Sequence, residues 1–178
     1  MTSRKLFVLT AIMAVFLFCV ASADTVGQGN TPDYTDDTKR AGFHGRLYIP
    51  DVGIDVALYR SNHQSTVDRD DSAAHFKLSY GRRTWLIADH NTQAFGALLD
   101  VLTGTTGYIV VHDGTIVHIV CVDVLDGHNT GRGITDDHGI SVVGKHDYLM
   151  YTCMGYWRNV RICQWDITEK EVDGNDND

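Results

Sequence analysis

The chain has 178 residues, 43% of them hydrophobic and 21% charged, which suits one globular domain with a workable core. Its formal charge is -8, from 23 acidic and 15 basic residues. No basic cluster is visible, which argues against a nucleic-acid partner, because neutralising phosphates needs concentrated lysine and arginine.

Taken in chain order, the first segment reads as an export signal. Arg4 and Lys5 form a short positive head, residues 6 to 20 are almost unbroken apolar sequence, and Ala21-Ser22-Ala23 offers small residues where a signal peptidase cuts. Residues 1 to 23 are therefore expected to be a signal peptide cleaved before Asp24. The rival is an uncleaved N-terminal anchor that keeps the protein in contact with the membrane. Both place the rest of the chain outside the cytoplasm, at the cell surface. Residues 24 to 43, polar and rich in Gly and Asp, read as a flexible leader, and residues 169 to 178 as an acidic disordered tail.

The domain between them, 44 to 168, shows mostly short β-prone runs. Residues 46 to 50 and 54 to 59 flank a turn at Asp51-Val52-Gly53. Residues 84 to 88 form a short apolar run that ends at His90. Residues 95 to 102 carry apolar side chains at helical spacing. Residues 108 to 112 and 115 to 125 flank Asp113-Gly114, a strong two-residue hairpin signal. Residues 126 to 146 read as a long connection, and 148 to 152 with 160 to 167 as two closing strands. Seven to eight strands with one or two short helices predict a mainly β fold, a closed or nearly closed barrel, since closure removes exposed edges.

Cysteine counting adds chemistry. Of four cysteines, Cys19 lies in the apolar segment, leaving Cys121, Cys153 and Cys163. An odd number in an exported domain leaves at least one thiol free. Cys121, inside an apolar run, reads as packed and inert. Cys153 could pair with Cys163, or a Cys121–Cys163 bridge could leave it free. Cys153 ends an apolar strand, a placement that holds a nucleophile rigidly while its side chain meets a cleft. Arg161 heads the next strand, with Arg158 three positions earlier as its competitor, and His90 ends a strand of its own. The other histidines are scattered; His128 and His138 lie in the long connection and could line the cleft. No H-x-x-x-H helix or paired C-x-x-C points to a metal, and no EF-hand-like loop points to calcium.

Several motifs in order carry a resemblance. Tyr48-Ile49-Pro50-Asp51-Val52-Gly53-Ile54 opens the domain, Leu86-Ile87-Ala88-Asp89-His90 follows, and Phe95 to Leu102 then Gly104 comes next. Leu149-Met150-Tyr151-Thr152-Cys153 and Arg161-Ile162 close the set. Together, over residues 46 to 167, they resemble the sortase family, the cysteine transpeptidases of the bacterial cell surface. Asp89 stands where that family usually has a small residue, and Leu149 and Met150 replace the Thr and Leu of its TLxTC motif.

The resemblance implies a sortase-type barrel, Cys153 as nucleophile, His90 as acid/base and Arg161 as oxyanion stabiliser. Thr152, Asp89, Tyr156 and Trp157 would contact substrate. Implied partners are the sorting-signal peptide of a surface protein and an amine acceptor, a cell-wall precursor or a pilin lysine. No cofactor is required. Two other readings stay open: a surface peptidase that hydrolyses the acyl-enzyme, and a non-catalytic exported binding barrel.

Overall fold

The computed structural model describes residues 37, 39–78 and 83–172, without the side chains of Tyr156 and Trp157. The expected export signal, most of the leader and the last six residues of the tail lie outside the described residues.

Among the described residues nine strands form one sheet: β1 (Phe43–Ile49), β2 (Ile54–Arg60), β3 (Ser72–Phe76), β4 (Trp85–Ala88), β5 (Thr106–Val111), β6 (Ile116–Asn129), β7 (Ile134–Asp136), β8 (Tyr148–Met154) and β9 (Tyr156–Glu171). Their order is β5-β1-β2-β3-β4-β8-β9-β6-β7, and β5 also pairs with β6. That extra pairing closes eight strands into a barrel, with β7 added on the far half of β6. The mainly β, closed architecture expected above is therefore present. Helical structure is slight. An α turn, α1, spans Gln64–Val67, and the expected helix after His90 is a 3-10 helix over Ala94–Asp100.

Closure depends on where the apolar residues point. Side chains alternate across a strand, so one slip in register would exchange the two faces. On β8, Met150 faces the barrel interior with Ile87 and Cys163, whereas Leu149 faces outward with Leu86, Val160 and Ile162. The outward patch is covered by Ile134 and Val142, from the segment that precedes β8. Thus the barrel has an inner core and a second, outer core on β4, β8 and β9.

Both expected hairpins form, although the second has a longer loop than the two residues expected, since β5 ends at Val111 and β6 starts at Ile116. Gly53 adopts φ 70° after a 3-10 turn at Pro50–Val52, and Gly114 adopts φ 86° between β5 and β6, a backbone region open to glycine without a Cβ clash. Other boundaries differ. Strand β9 runs to Glu171, pairing Glu171 with Ile116, so the start of the expected acidic tail is sheet. The long connection is partly strand too, because β6 extends to Asn129 and β7 pairs back on it. Strand β3 and helix α1 had no sequence signal. Ser72-Ala73-Ala74-His75 lacks β-branched residues and alternation, yet all four are buried.

Candidate functional site

The site grows from one uncommon feature of the barrel, a parallel pair. Strands β4 and β8 run in the same direction, in register from Trp85↔Tyr148 to Ala88↔Tyr151. Two residues further along each strand stand His90 and Cys153, level with one another at the same end of the barrel. The residues between are tied together, for the Thr152 hydroxyl donates to the Asp89 carbonyl at 3.2 Å. Cys153 follows Leu149 and Tyr151 on the outer face. It is a free, half-buried thiol.

Asp89 holds the chain just after β4. It is buried, its Oδ1 accepts the His90 amide at 2.7 Å, and its Oδ2 has no hydrogen-bond partner among the described residues. Burial pushes its pKa up to about 6, while the amides of His90, Phe95 and Ala94 and the charge of His90 pull it down. Thr152 is buried as well. Thr152 and Asp89, expected at the peptide, thus engage the protein frame, the first through its hydroxyl and the second through Oδ1. Both face inward at a barrel end that pairs β4 with β8.

The His90 ring is half-exposed and turns toward α1 and its C-terminal residue. Its Nε2 lies 3.1 Å from Asp68 Oδ1 and 3.2 Å from Gln64 Nε2, and Gln64 donates to the same Asp68 oxygen at 2.9 Å. These bonds hold the Asp68 carboxyl below the ordinary carboxylate range. Neither Gln64 nor Asp68 is legible as a site residue in the sequence. Both lie in a polar stretch whose relation to His90 is purely tertiary.

Arg161 reaches the region differently from the expectation. Its partner across β8 is Thr152, and Val160 faces Cys153. The pleat therefore sends the arginine toward the face of Thr152 and Cys163, and the thiol toward the other. Its Nε forms an ion pair with Asp126 Oδ1 at 2.8 Å, but the N–H is not aimed at that oxygen as a hydrogen bond. Its positive charge acts on the Cys163 thiol. The structure brings Arg161 to the strand beside Cys153 without a contact between the two side chains among those described. Arg158 is exposed near the start of β9, where the register jumps from Cys153↔Val160 to Met154↔Tyr156. The side chains of Tyr156 and Trp157 lie outside the described residues.

Around Tyr151 the outer face opens into a pocket of about 210 Å³, whose lining includes neither Cys153 nor His90. Phe76, Leu78, Leu86 and Tyr151 make its apolar wall, and residues 131 to 134 of the β6–β7 connection its rim. Burial raises the Tyr151 hydroxyl to about 12, with a smaller push from negative charge on Cys153. His128 instead bonds Asn159 through Nδ1 at 3.1 Å, and His138 is exposed; neither lines this pocket. Cys121 and Cys163 are free and buried, the first donating to the Asp123 carbonyl at 3.6 Å and the second to the Leu98 carbonyl at 3.8 Å. Since Cys163 pairs with Met150 on the inner face, it does not meet Cys153. Among the described residues no three His, Cys, Asp or Glu converge as a metal site.

No family model and no curated protein matches the sequence. Solved structures do. Sortase A of Listeria monocytogenes superposes with a TM-score of 0.52 at 14% identity, covering 73% of this chain and 90% of that one. A pilus-related sortase C of group B Streptococcus gives 0.56 at 15% identity, covering 73% of this chain and 69% of that one. Sortase E1 from Streptomyces coelicolor, solved with a tripeptide in the active site, gives 0.59 at 12% identity, covering 74% and 90%. At such identities the shared property is the backbone path, and on that ground this chain has the sortase fold.

Proposed function

We propose that this protein is an exported sortase-like cysteine transpeptidase that cleaves a sorting-signal peptide and transfers the acyl part to an amine. The observation that supports this reading is the parallel β4–β8 register, whose continuation carries His90 and Cys153 toward the same end of the barrel.

The chemistry follows from those groups. A free thiol near pKa 8.5 is only about 3% ionised at pH 7, so a nearby imidazolium that favours the thiolate raises the reactive fraction. The thiolate attacks the peptide carbonyl carbon, the C–N bond breaks, and His90 gives its proton to the departing amine. The acyl group then sits on Cys153 as a thioester. An acceptor amine attacks it, passes a proton to His90, and releases the thiolate. Arg161 is the cation on the neighbouring strand for the oxyanion. To serve, its guanidinium must leave Asp126 and reach around the strand end, where the β8–β9 register is already irregular. Phe76, Leu78 and Tyr151 are suited to an apolar stretch of the peptide, which would enter along the outer face.

Intact-mass spectrometry tests this directly. Incubation with a panel of sorting-signal peptides should add an acyl mass to the wild type and none to Cys153→Ala, and an added amine should discharge it into a peptide–amine product. Turnover retained in Cys153→Ala would refute the reading; discharge only to water would replace transfer by hydrolysis.

A further inference from the structure

We infer that Asp68 is a positioning residue for His90, fixing the proton on Nε2 so that Nδ1 is the atom that exchanges a proton with Cys153. The inference rests on the transpeptidase reading and adds a group beyond the cysteine, histidine and arginine.

The contact decides the ring's protonation. An unprotonated Nε2 would set its lone pair 3.1 Å from a carboxylate oxygen, which repels it. A proton there donates to Asp68 instead. Gln64 Nε2 has two N–H donors and gives one to the same Asp68 oxygen; its other N–H is a neutral donor to the ring nitrogen at 3.2 Å, and the charged carboxylate at 3.1 Å is the stronger partner. With Nε2–H occupied, Nδ1 is left as the base. Once the ring is doubly protonated, the carboxylate stabilises the imidazolium, and the imidazolium in turn favours the Cys153 thiolate.

Asp68 is not a stray surface acid that happens to point at the ring. The turn that carries it is pinned from both sides. Thr66 is buried and bonds Ser61 at 2.8 Å, and the Ser72 hydroxyl donates to the Thr66 carbonyl at 2.7 Å. Arg69, the next residue, donates to Ser72 at 3.0 Å and lies over the Tyr59 ring. A second cross-link joins the same two segments, Gln93 Nε2 donating to Asp70 Oδ1 at 3.2 Å. The loop that bears His90 and the turn that bears Asp68 are thus held together at two points, and strands β2 and β3 anchor the turn.

The test uses the full chain and two readouts, Cys153 alkylation by iodoacetamide near neutral pH and single-turnover acylation by a sorting-signal peptide. Asp68→Asn should slow alkylation and lower kcat by roughly fivefold, the upper end for a solvent-accessible ion pair, with KM unchanged. Asp68→Glu should restore most of both. In a His90→Ala background, Asp68→Asn should add no further loss, the coupling a double-mutant cycle measures. An unchanged alkylation rate in Asp68→Asn, or an equal loss in the His90→Ala background, overturns the inference. If no peptide acylates the wild type, the transpeptidase reading fails on that arm alone, and the alkylation cycle still judges Asp68.

Discussion

Lowering the pH from about 7.5 to about 4.5 should destabilise this barrel, and the cause is a buried column of rings. His75 stacks on Trp85 at 4.3 Å between centroids and on His44 at 4.5 Å, with Tyr148 beyond at 6.2 Å. His75 is 1% exposed, and neither ring nitrogen has a hydrogen-bond partner among the described residues. Burial drives its pKa down to about 3, helped by the charges of His44, Arg60 and Lys77. Unfolded, the same group titrates at its ordinary 6.5. Because the folded value is the lower one, the unfolded chain binds the proton first, and stability falls as pH drops through 6.5 until the folded group also protonates.

Two pH units below 6.5 amount to about 2–3 kcal/mol from His75 alone. His44, lowered to about 4 chiefly by burial, acts in the same direction. Asp89 opposes them, since a carboxyl raised to about 6 by burial costs less as it protonates on the way down. Asp68, Asp113 and Asp136 are held low by their hydrogen bonds, so what they contribute fades only below the ordinary 3.8, outside this range. The net should be near the His75 figure, a fall in Tm of roughly 5–10 °C for a domain of this size. Scanning calorimetry at several pH values reads it. His75→Phe keeps a ring on Trp85 without nitrogens and should flatten the dependence. A variant that loses as much Tm as the wild type over the same range would refute the assignment to His75.

Three further outcomes follow from geometry. Gly127→Ala would press a methyl group onto the Thr135 carbonyl and within 2.8 Å of Ile162 Cδ1, so β7 should detach and stability fall by about 2 kcal/mol or more, read by urea unfolding. Thr152→Val removes the hydroxyl bonded to the Asp89 carbonyl between β4 and β8, which should cost about 1 kcal/mol and slow acylation of Cys153, measured by melting and single-turnover mass spectrometry. Native alkylation followed by peptide mapping should modify Cys153 and spare Cys121 and Cys163 until the chain unfolds, because those two residues are buried.

Much of this was legible in one dimension. Strands β1, β2, β5, β6, β8 and β9 carry apolar and β-branched runs between turn residues, and Asp113-Gly114 does mark the β5–β6 hairpin, within a connection longer than two residues. The strand-end positions of His90 and Cys153 could also be read, since each follows a short apolar run. Strand β3 could not, because small residues buried on both faces show no period. Nor could β7, whose three residues are shorter than any periodic signal.

The amino-acid order thus set which segments become strands and which reactive side chains terminate them, since propensity and alternation act between near neighbours in the chain. Partnership was decided only in three dimensions. That β4 lies parallel to β8, that Asp68 rather than bulk water meets the His90 ring, and that Arg161 faces Asp126 are consequences of barrel closure. Closure chooses partners by how whole faces pack, and no residue pattern along a single strand records which strand will lie beside it.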